Sequence, residues 1–197
     1  MKLIKDWKKF TRAQKEAWKK WAKVNRVVLP NGNVDYVTGH KACTLINANR
    51  ALFGWTFPTS QTPDGYTPLL PTPFLNNVDC GAYTTGAGEL VLRTAVTLNG
   101  EESNFVVFAT PPVTADVVDP GPLFRFCKAF APQDDIPVNT YIPNFAAEYR
   151  AKVGSFNGPG IEGFWETPHF IWFRIHECWA GQLGPATVFR TGIFVDA

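Results

Sequence analysis

In the first fifty residues, uncharged and basic residues alternate with the periodicity of an α-helix. Uncharged residues recur at three- and four-residue steps at Gln14, Ala17, Trp18, Trp21 and Ala22. Thr11 followed by Gln14 is a capping-box sequence, in which each side chain bonds a backbone amide at the start of a helix. The pattern predicts a helix at about Arg12 to Val24 with its tryptophans turned inward and its basic residues turned outward.

Further local signals surround this helix. A shorter helical turn is expected at Leu3 to Lys9, and the Asn-Gly pair inside Leu29 to Tyr36 predicts a small hairpin. Thr38 then caps another helix, and Gly54 stands where its C-terminal cap falls. The apolar face of that helix is expected to contain Ala42, Leu45, Ile46, Asn49, Leu52 and Phe53. Residues 1–54 are therefore predicted to form a small helical module.

A proline-rich segment follows, at residues 55–73. Five prolines fall within sixteen residues, at Pro58, Pro63, Pro68, Pro71 and Pro73. Proline lacks an amide donor and has a fixed φ, so this density excludes a helix and favours an extended, semi-rigid linker.

From residue 74 onward the pattern has a period of two. Glu89 to Leu98 alternates, Asn99-Gly100 signals a turn, and Asn104 to Val113 is expected to return as the second strand of a hairpin. Further strands are predicted at residues 123–130, 138–145, 169–179 and 186–195, and His169 to Trp179 is apolar on both faces, as a central strand is. Glu148 to Gly154 fits strand or helix. The predicted fold class is α+β, with an all-β sandwich or barrel at residues 74–197.

Composition and charge divide the chain functionally. Seven Trp and 16 Phe against one Met favour packing and self-association. Residues 1–50 hold 12 basic and 3 acidic residues, so 12 − 3 gives +9, whereas the remainder holds 7 basic and 14 acidic residues, or −7. This asymmetry favours a basic surface that contacts nucleic acid, a membrane surface or an acidic protein, such as the acidic part of a neighbouring copy.

The alternative is that these charges only form the solvent-exposed face of an amphipathic helix. The candidate interface residues are Lys8, Lys9, Arg12, Lys15, Lys19, Lys20, Lys23 and Arg26, and the candidate packing residues are Trp7, Trp18 and Trp21.

Sequence patterns of catalysis and cofactor binding are missing. The chain has no phosphate-binding loop, no GxSxG and no HExxH, and Thr85 to Leu90 matches only the start of a dinucleotide fingerprint. His176 and Cys178 share one strand face, but two ligands are not a metal site, and a packed histidine beside a buried thiol is the simpler interpretation. The acidic pairs Glu101-Glu102 and Asp134-Asp135 are expected in solvated loops. These patterns favour a protein that is not an enzyme and has no cofactor.

The cysteines and the N-terminal residues indicate the cellular compartment in which the protein is expected to be made. Cys43, Cys80, Cys127 and Cys178 are widely spaced without a CxxC pair, so we expect buried, reduced thiols. The first ten residues are interrupted by charges, so no signal peptide is predicted, and no apolar run has transmembrane length. We therefore expect synthesis in the cytoplasm.

Two resemblances extend this interpretation. The segment from Pro73 to Ala197, with GELVLRTAVTLNG, VFATPPV, FRFCKAF and HFIWFRIHECWAGQLGPATVFRTGIFV, resembles a fibronectin type III-like sandwich. The whole arrangement, with WxxFTxxQxxAWxxWA at Trp7 to Ala22, GHKACTLINAN at Gly39 to Asn49, the linker and this sandwich, resembles uncharacterised bacterial proteins of phage-type gene contexts. That resemblance implies a virion component, such as a head or tail decoration or attachment protein, in the form of a homo-oligomer or with other subunits.

A different resemblance concerns Trp7 to Arg26 alone. WKKFTRAQKEAWKKWAKVNR is similar to the middle helix of an HMG box, a fold that bends DNA by pushing an apolar wedge into the minor groove. That fold needs three helices, and only about 54 residues precede the proline-rich segment. The leading hypothesis is therefore a structural assembly protein, and the alternative is a DNA-binding architectural protein that uses the basic, tryptophan-containing helix.

Overall fold

The computed structural model describes residues 7–29, 31–55, 59–63, 79–84, 90–95, 104–130, 146–153 and 169–195. The chain divides into two compact units. The first unit comprises residues 1–72 together with residues 176–185, and the second comprises residues 73–175 together with residues 186–197. The protein is thus a mixed helix-and-sheet protein with a small helical N-terminal part and a large, mainly antiparallel sheet.

Helix α1, Arg12–Val24, begins with the predicted capping box. The amide of Gln14 donates to Thr11 Oγ1 at 3.2 Å, and the amide of Thr11 donates to Gln14 Oε1 at 2.8 Å. Two of the four amides that a helix start leaves without an intrahelical partner are satisfied in this way. Residues 7–9 form a helical turn before it, while the rest of the predicted turn, Leu3 to Asp6, lies outside the described residues.

The Asn-Gly hairpin is also confirmed. Strands β1, Val27–Val28, and β2, Val34–Asp35, pair antiparallel, and Gly32 in the connecting turn has a φ of 88°. Such a positive φ is accessible to glycine at little cost because it has no Cβ.

Helix α2, Gly39–Leu52, has both of its predicted caps. The amide of Lys41 donates to Thr38 Oγ1 at 3.2 Å. At the other end Gly54 has a φ of 68°, its amide donates to the carbonyl of Ala51, and the amide of Trp55 donates to the carbonyl of Arg50. These two bonds form a Schellman motif, which satisfies carbonyls that the last turn would leave without a partner.

The core of the first unit lies between α1 and α2. Trp18 is fully buried there, and α2 crosses closely enough that a Cβ on Gly39 would stand 2.7 Å from the backbone nitrogen of Lys19. Glycine at position 39 therefore permits the close approach of the two helices. The buried members of the cluster are Phe10, Trp18, Trp21, Ala22, Val27, Ala42, Cys43 and Ile46.

A sheet of seven strands contributes most of the second unit. The strands are β3, Asp79–Thr84; β4, Leu90–Ala95; β5, Asn104–Ala109; β6, Val113–Thr114; β7, Arg125–Phe130; β8, His169–Trp179; and β9, Gln182–Val195. Their order is β4-β3-β9-β8-β5-β7, with β6 paired to β8. The pairs β3/β4, β5/β7 and β6/β8 are antiparallel, whereas β3 and β9 are parallel.

One face of this sheet forms the core of the second unit. Helix α3, Ala146–Lys152, places Tyr149 against it, and the Tyr149 hydroxyl donates to the carbonyl of Thr110 at 2.7 Å. Lys128 of β7 forms an ion pair with Glu148 of α3. The buried residues of this core are Phe105, Val107, Ala109, Cys127, Phe130, Tyr149, Val153, Ile171, Phe173 and Ile175.

The strand pairing corrects one sequence expectation. The hairpin predicted between Glu89 to Leu98 and Asn104 to Val113 is wrong, because β4 pairs with β3 at a sheet edge, whereas β5 lies between β8 and β7. Alternation selects which face of a strand is buried but does not select its neighbour. The central position of β8 is confirmed, and residues 146–152 are helical. The predicted strand at residues 138–145 and most of the proline-rich segment lie outside the described residues.

Candidate functional site

The predicted interface residues lie on helix α1 and on the residues that flank it. We call this the basic surface: Lys8, Lys9, Arg12, Lys15, Lys19, Lys20, Lys23 and Arg26. Lys15 is half-buried, with Nζ 3.5 Å from the carbonyl oxygen of Lys8, and the other seven are exposed. The inner side buries Trp18 and Trp21, while Ala17, expected on the apolar face, is exposed. Burial of the two large rings therefore sets which side the cations occupy.

The basic surface has little acidic compensation. Residues 7–29 and 31–55 contain ten basic and two acidic side chains, so 10 − 2 gives +8. Glu16 pairs with Lys19 at 2.7 Å, and the hydrogen bond and charge of Lys19 lower the pKa of Glu16. Both partners are about half exposed, and an exposed pair one helical turn apart contributes little to stability. The surface thus presents a concentrated positive charge to any acidic partner.

Exposed apolar side chains adjoin these cations. Val24 at the end of α1 is 75% exposed, and Val34 and Tyr36 of the hairpin are 49% and 51% exposed. The guanidinium of Arg26 lies over the Tyr36 ring, 5.2 Å from its centroid. A tyrosine and an arginine side by side, next to apolar groups, match the composition of protein interfaces.

Trp7 has a packing role at the edge of the first core. Its ring stacks on His40 of α2, with centroids 4.9 Å apart, and also contacts Phe10. It is half-buried against the cluster, so it joins α2 to the turn that precedes α1.

The turn between β8 and β9 packs on α2. Arg50 donates from Nε to the carbonyl of Ala180 at 2.8 Å, and Asn49 Nδ2 donates to the carbonyl of Gly181 at 2.9 Å. Arg50 also donates to Asn47 Oδ1, and its burial lowers the pKa of its guanidinium. No local sequence pattern indicates this role of Arg50, because its acceptor at Ala180 lies 130 residues away in the chain.

The remaining candidates from the sequence have structural partners or lie outside the description. His176 Nδ1 lies 2.8 Å from the carbonyl oxygen of Gly184, and Cys178 is buried and is not part of a disulfide. Within the described residues no group of three or more His, Cys, Asp or Glu side chains is placed to hold a metal ion. Glu101-Glu102, Asp134-Asp135 and the first five residues of Thr85 to Leu90 lie outside those residues.

Among the helices that the structure describes, none combines the length and the apolar character needed to span a bilayer. No protein-family model, curated protein or solved structure matches the chain.

Proposed function

We propose that the protein is a non-enzymatic structural component of a larger assembly, and that its basic surface docks on the acidic part of a neighbouring copy. The observation that carries this proposal is the excess of exposed cations on the basic surface beside the exposed Val24, Val34 and Tyr36. Acidic residues predominate after residue 50, where the net charge is −7, so one copy offers the complement of the other. Complementary charge steers association and fixes the orientation of the partners.

The apolar edge favours a protein over nucleic acid as the occupant. A phosphate backbone supplies charge but no apolar surface to cover Val24 and Val34. Trp18 and Trp21 lie in the core, so neither is placed to serve as the minor-groove wedge of an HMG box. DNA binding through the lysines is the second candidate and is an outcome of the experiment below.

The resemblances refine the proposal. We propose that the sheet-containing part forms a fibronectin type III-like sandwich and that the assembly is a virion, with the protein in a head or tail decoration or attachment role. These two refinements rest on the sequence resemblance and on the mainly antiparallel sheet.

Sedimentation velocity of the full chain tests the docking. We expect oligomers at low salt that dissociate as salt rises, because exposed charge pairs are screened. The double substitution Lys20→Glu and Lys23→Glu should yield monomers, whereas Arg125→Glu, an exposed charge reversal on β7, should leave the oligomers intact.

Two results would overturn the proposal. One is a monomer under all salt conditions, and the other is an oligomer that withstands the double substitution. Tight binding of duplex DNA at physiological salt, lost in the same double variant, would establish the DNA-binding alternative, since non-specific phosphate contacts weaken steeply with salt.

A further inference from the structure

The sheet of the second unit has a second face that is rich in aromatic rings and arginine. Along β8, Ile171 and Phe173 point into the core, so Phe170, Trp172 and Arg174 point to the opposite face. Phe108 of β5 and Phe126 of β7 are paired in register and share that face, with ring centroids 6.1 Å apart. All four rings are half-buried, so part of each remains accessible.

Two arginines stack on these rings. The guanidinium of Arg174 lies 4.9 Å from the Phe108 centroid and 4.6 Å from that of Phe124, and it is almost fully buried between them. The guanidinium of Arg190 on β9 lies 4.6 Å from the Phe170 centroid and 5.6 Å from that of Trp172, and Arg190 is exposed. Arg190 thus presents a planar cation, held by two rings, at the surface.

We call this surface the aromatic–arginine face, and both of its charged members are cations: Phe108, Phe124, Phe126, Phe170, Trp172, Arg174 and Arg190. In the second unit, strands β5, β7, β8 and β9 comprise residues 104–109, 125–130, 169–175 and 186–195, and none of these residues is acidic; Glu177 of β8 belongs to the part assigned to the first unit. The face therefore combines flat surfaces for stacking with the exposed cation of Arg190.

We propose that the aromatic–arginine face binds single-stranded nucleic acid. Exposed bases stack on aromatic rings and on guanidinium planes, and the phosphates that follow each base need cationic donors. Arg190 is suited to both tasks, because one side of its guanidinium rests on Phe170 and its N–H groups reach solvent. A neutral glycan fits less well, because its hydroxyls need amide or carboxylate partners, and in residues 104–109, 125–130, 169–175 and 186–195 such a group is supplied by Asn104 alone.

The test uses the full chain and a fluorescein-labelled oligothymidylate at low salt, read by fluorescence anisotropy. We expect saturable binding that Arg190→Glu weakens about tenfold or more, since loss of a stacked contact and of a phosphate contact each reduces affinity severalfold. Arg190→Lys, which keeps the charge but not the plane, should fall between that variant and the wild type.

Two control variants test whether binding depends on the aromatic–arginine face rather than on net charge or on the basic surface. Arg125→Glu changes the net charge by the same amount, yet Arg125 pairs in register with the core-facing Ala109, so binding should stay within about threefold of the wild type. Lys20→Glu with Lys23→Glu tests whether the basic surface is the site instead. Circular dichroism checks that each variant is folded, and Phe170→Leu repeats the test without a change of charge.

Several results would overturn the proposal. The first is that the protein does not bind the oligonucleotide. The second is that Arg190→Glu and Arg125→Glu reduce the affinity equally, and the third is that only the Lys20 and Lys23 double variant has a reduced affinity. Preference for duplex over single strand would show that stacking has no part. Binding of a neutral oligosaccharide in an Arg190-dependent manner, without oligonucleotide binding, would make the face a glycan site.

Discussion

The Nε of Arg50 donates a 2.8 Å hydrogen bond to the carbonyl oxygen of Ala180, 130 residues later in the chain. This bond attaches the turn between β8 and β9 to helix α2 within the first unit. Ala180 and Gly181 have φ values of 49° and 87°, so both central residues of this turn are in the left-handed region, as a type I′ turn requires. An alanine there is unusual, and the contacts from α2 compensate for its strain.

Removing the Arg50 donors should destabilise the first unit. We expect Arg50→Met to lower the free energy of unfolding by about 2 to 3 kcal/mol, because hydrogen bonds from a charged group are lost and the partly buried carbonyl of Ala180 loses the Arg50 donor. Urea denaturation followed by tryptophan fluorescence measures the change. Lys41→Met, at an exposed position of the same helix, should stay within about 0.5 kcal/mol of the wild type. Equal effects of the two substitutions would show that the Arg50 bonds contribute nothing measurable.

Two glycines with positive φ allow backbone strain to be separated from steric clash. A Cβ on Gly54 meets nothing within 4 Å, so Gly54→Ala should lower stability by about 1 kcal/mol through strain alone. A Cβ on Gly181 would stand 2.4 Å from the carbonyl oxygen of Ile46, so Gly181→Ala should cost at least about 2 kcal/mol. Thermal denaturation ranks the two variants. A Gly181→Ala variant as stable as Gly54→Ala would mean that the turn does not pack on α2.

The burial of Trp18 leads to a large expected effect. Trp18→Ala should cost about 3 to 5 kcal/mol and shift the tryptophan emission of the protein to the red, because a fully buried ring is removed from the centre of the first core. Val24→Ala, on the same helix and 75% exposed, should change stability by less than about 0.5 kcal/mol. If Trp18→Ala kept its stability but lost self-association, Trp18 would belong to an interface rather than to the core.

Alkaline pH should destabilise the protein through its buried thiols. Burial raises the pKa of Cys43 to about 11 and that of Cys127 to about 12, from an ordinary value of 9.0. The unfolded chain therefore loses these protons at a lower pH than the folded protein does. The contribution of each protonated thiol to the free energy of unfolding is complete below about pH 9, and it falls by about 1.4 kcal/mol per pH unit as the pH rises above that value.

The substitution Cys127→Ala isolates one thiol. The difference in unfolding free energy between the wild type and this variant should shrink as pH rises from about 9 to about 11, because only the wild type loses the Cys127 contribution. A difference that stays constant over this range would show that Cys127 ionises equally in both states.

Much of the first unit could be predicted from local sequence. The capping box of Thr11 and Gln14, the Asn-Gly hairpin, the Schellman cap at Gly54 and the inward tryptophans all depend on residues within a few positions of one another. Such features follow from backbone geometry and helical periodicity, and both depend on residue spacings that are visible in the sequence. The basic surface follows from the same periodicity, because the buried side of α1 leaves its lysines outside.

Only the tertiary structure decided which distant segments meet. Helix α2 buries Asn47 and Arg50 while Leu45, Asn49 and Leu52 stay half-buried, because the turn at Ala180 and Gly181 supplies acceptors that no local pattern shows. Strand β5 pairs with β7 and not with the preceding strand, since alternation marks a buried face but not a neighbour. Likewise Arg190 and Phe170 lie 20 positions apart and meet only because β8 and β9 are adjacent, so the aromatic–arginine face has no signature in sequence order.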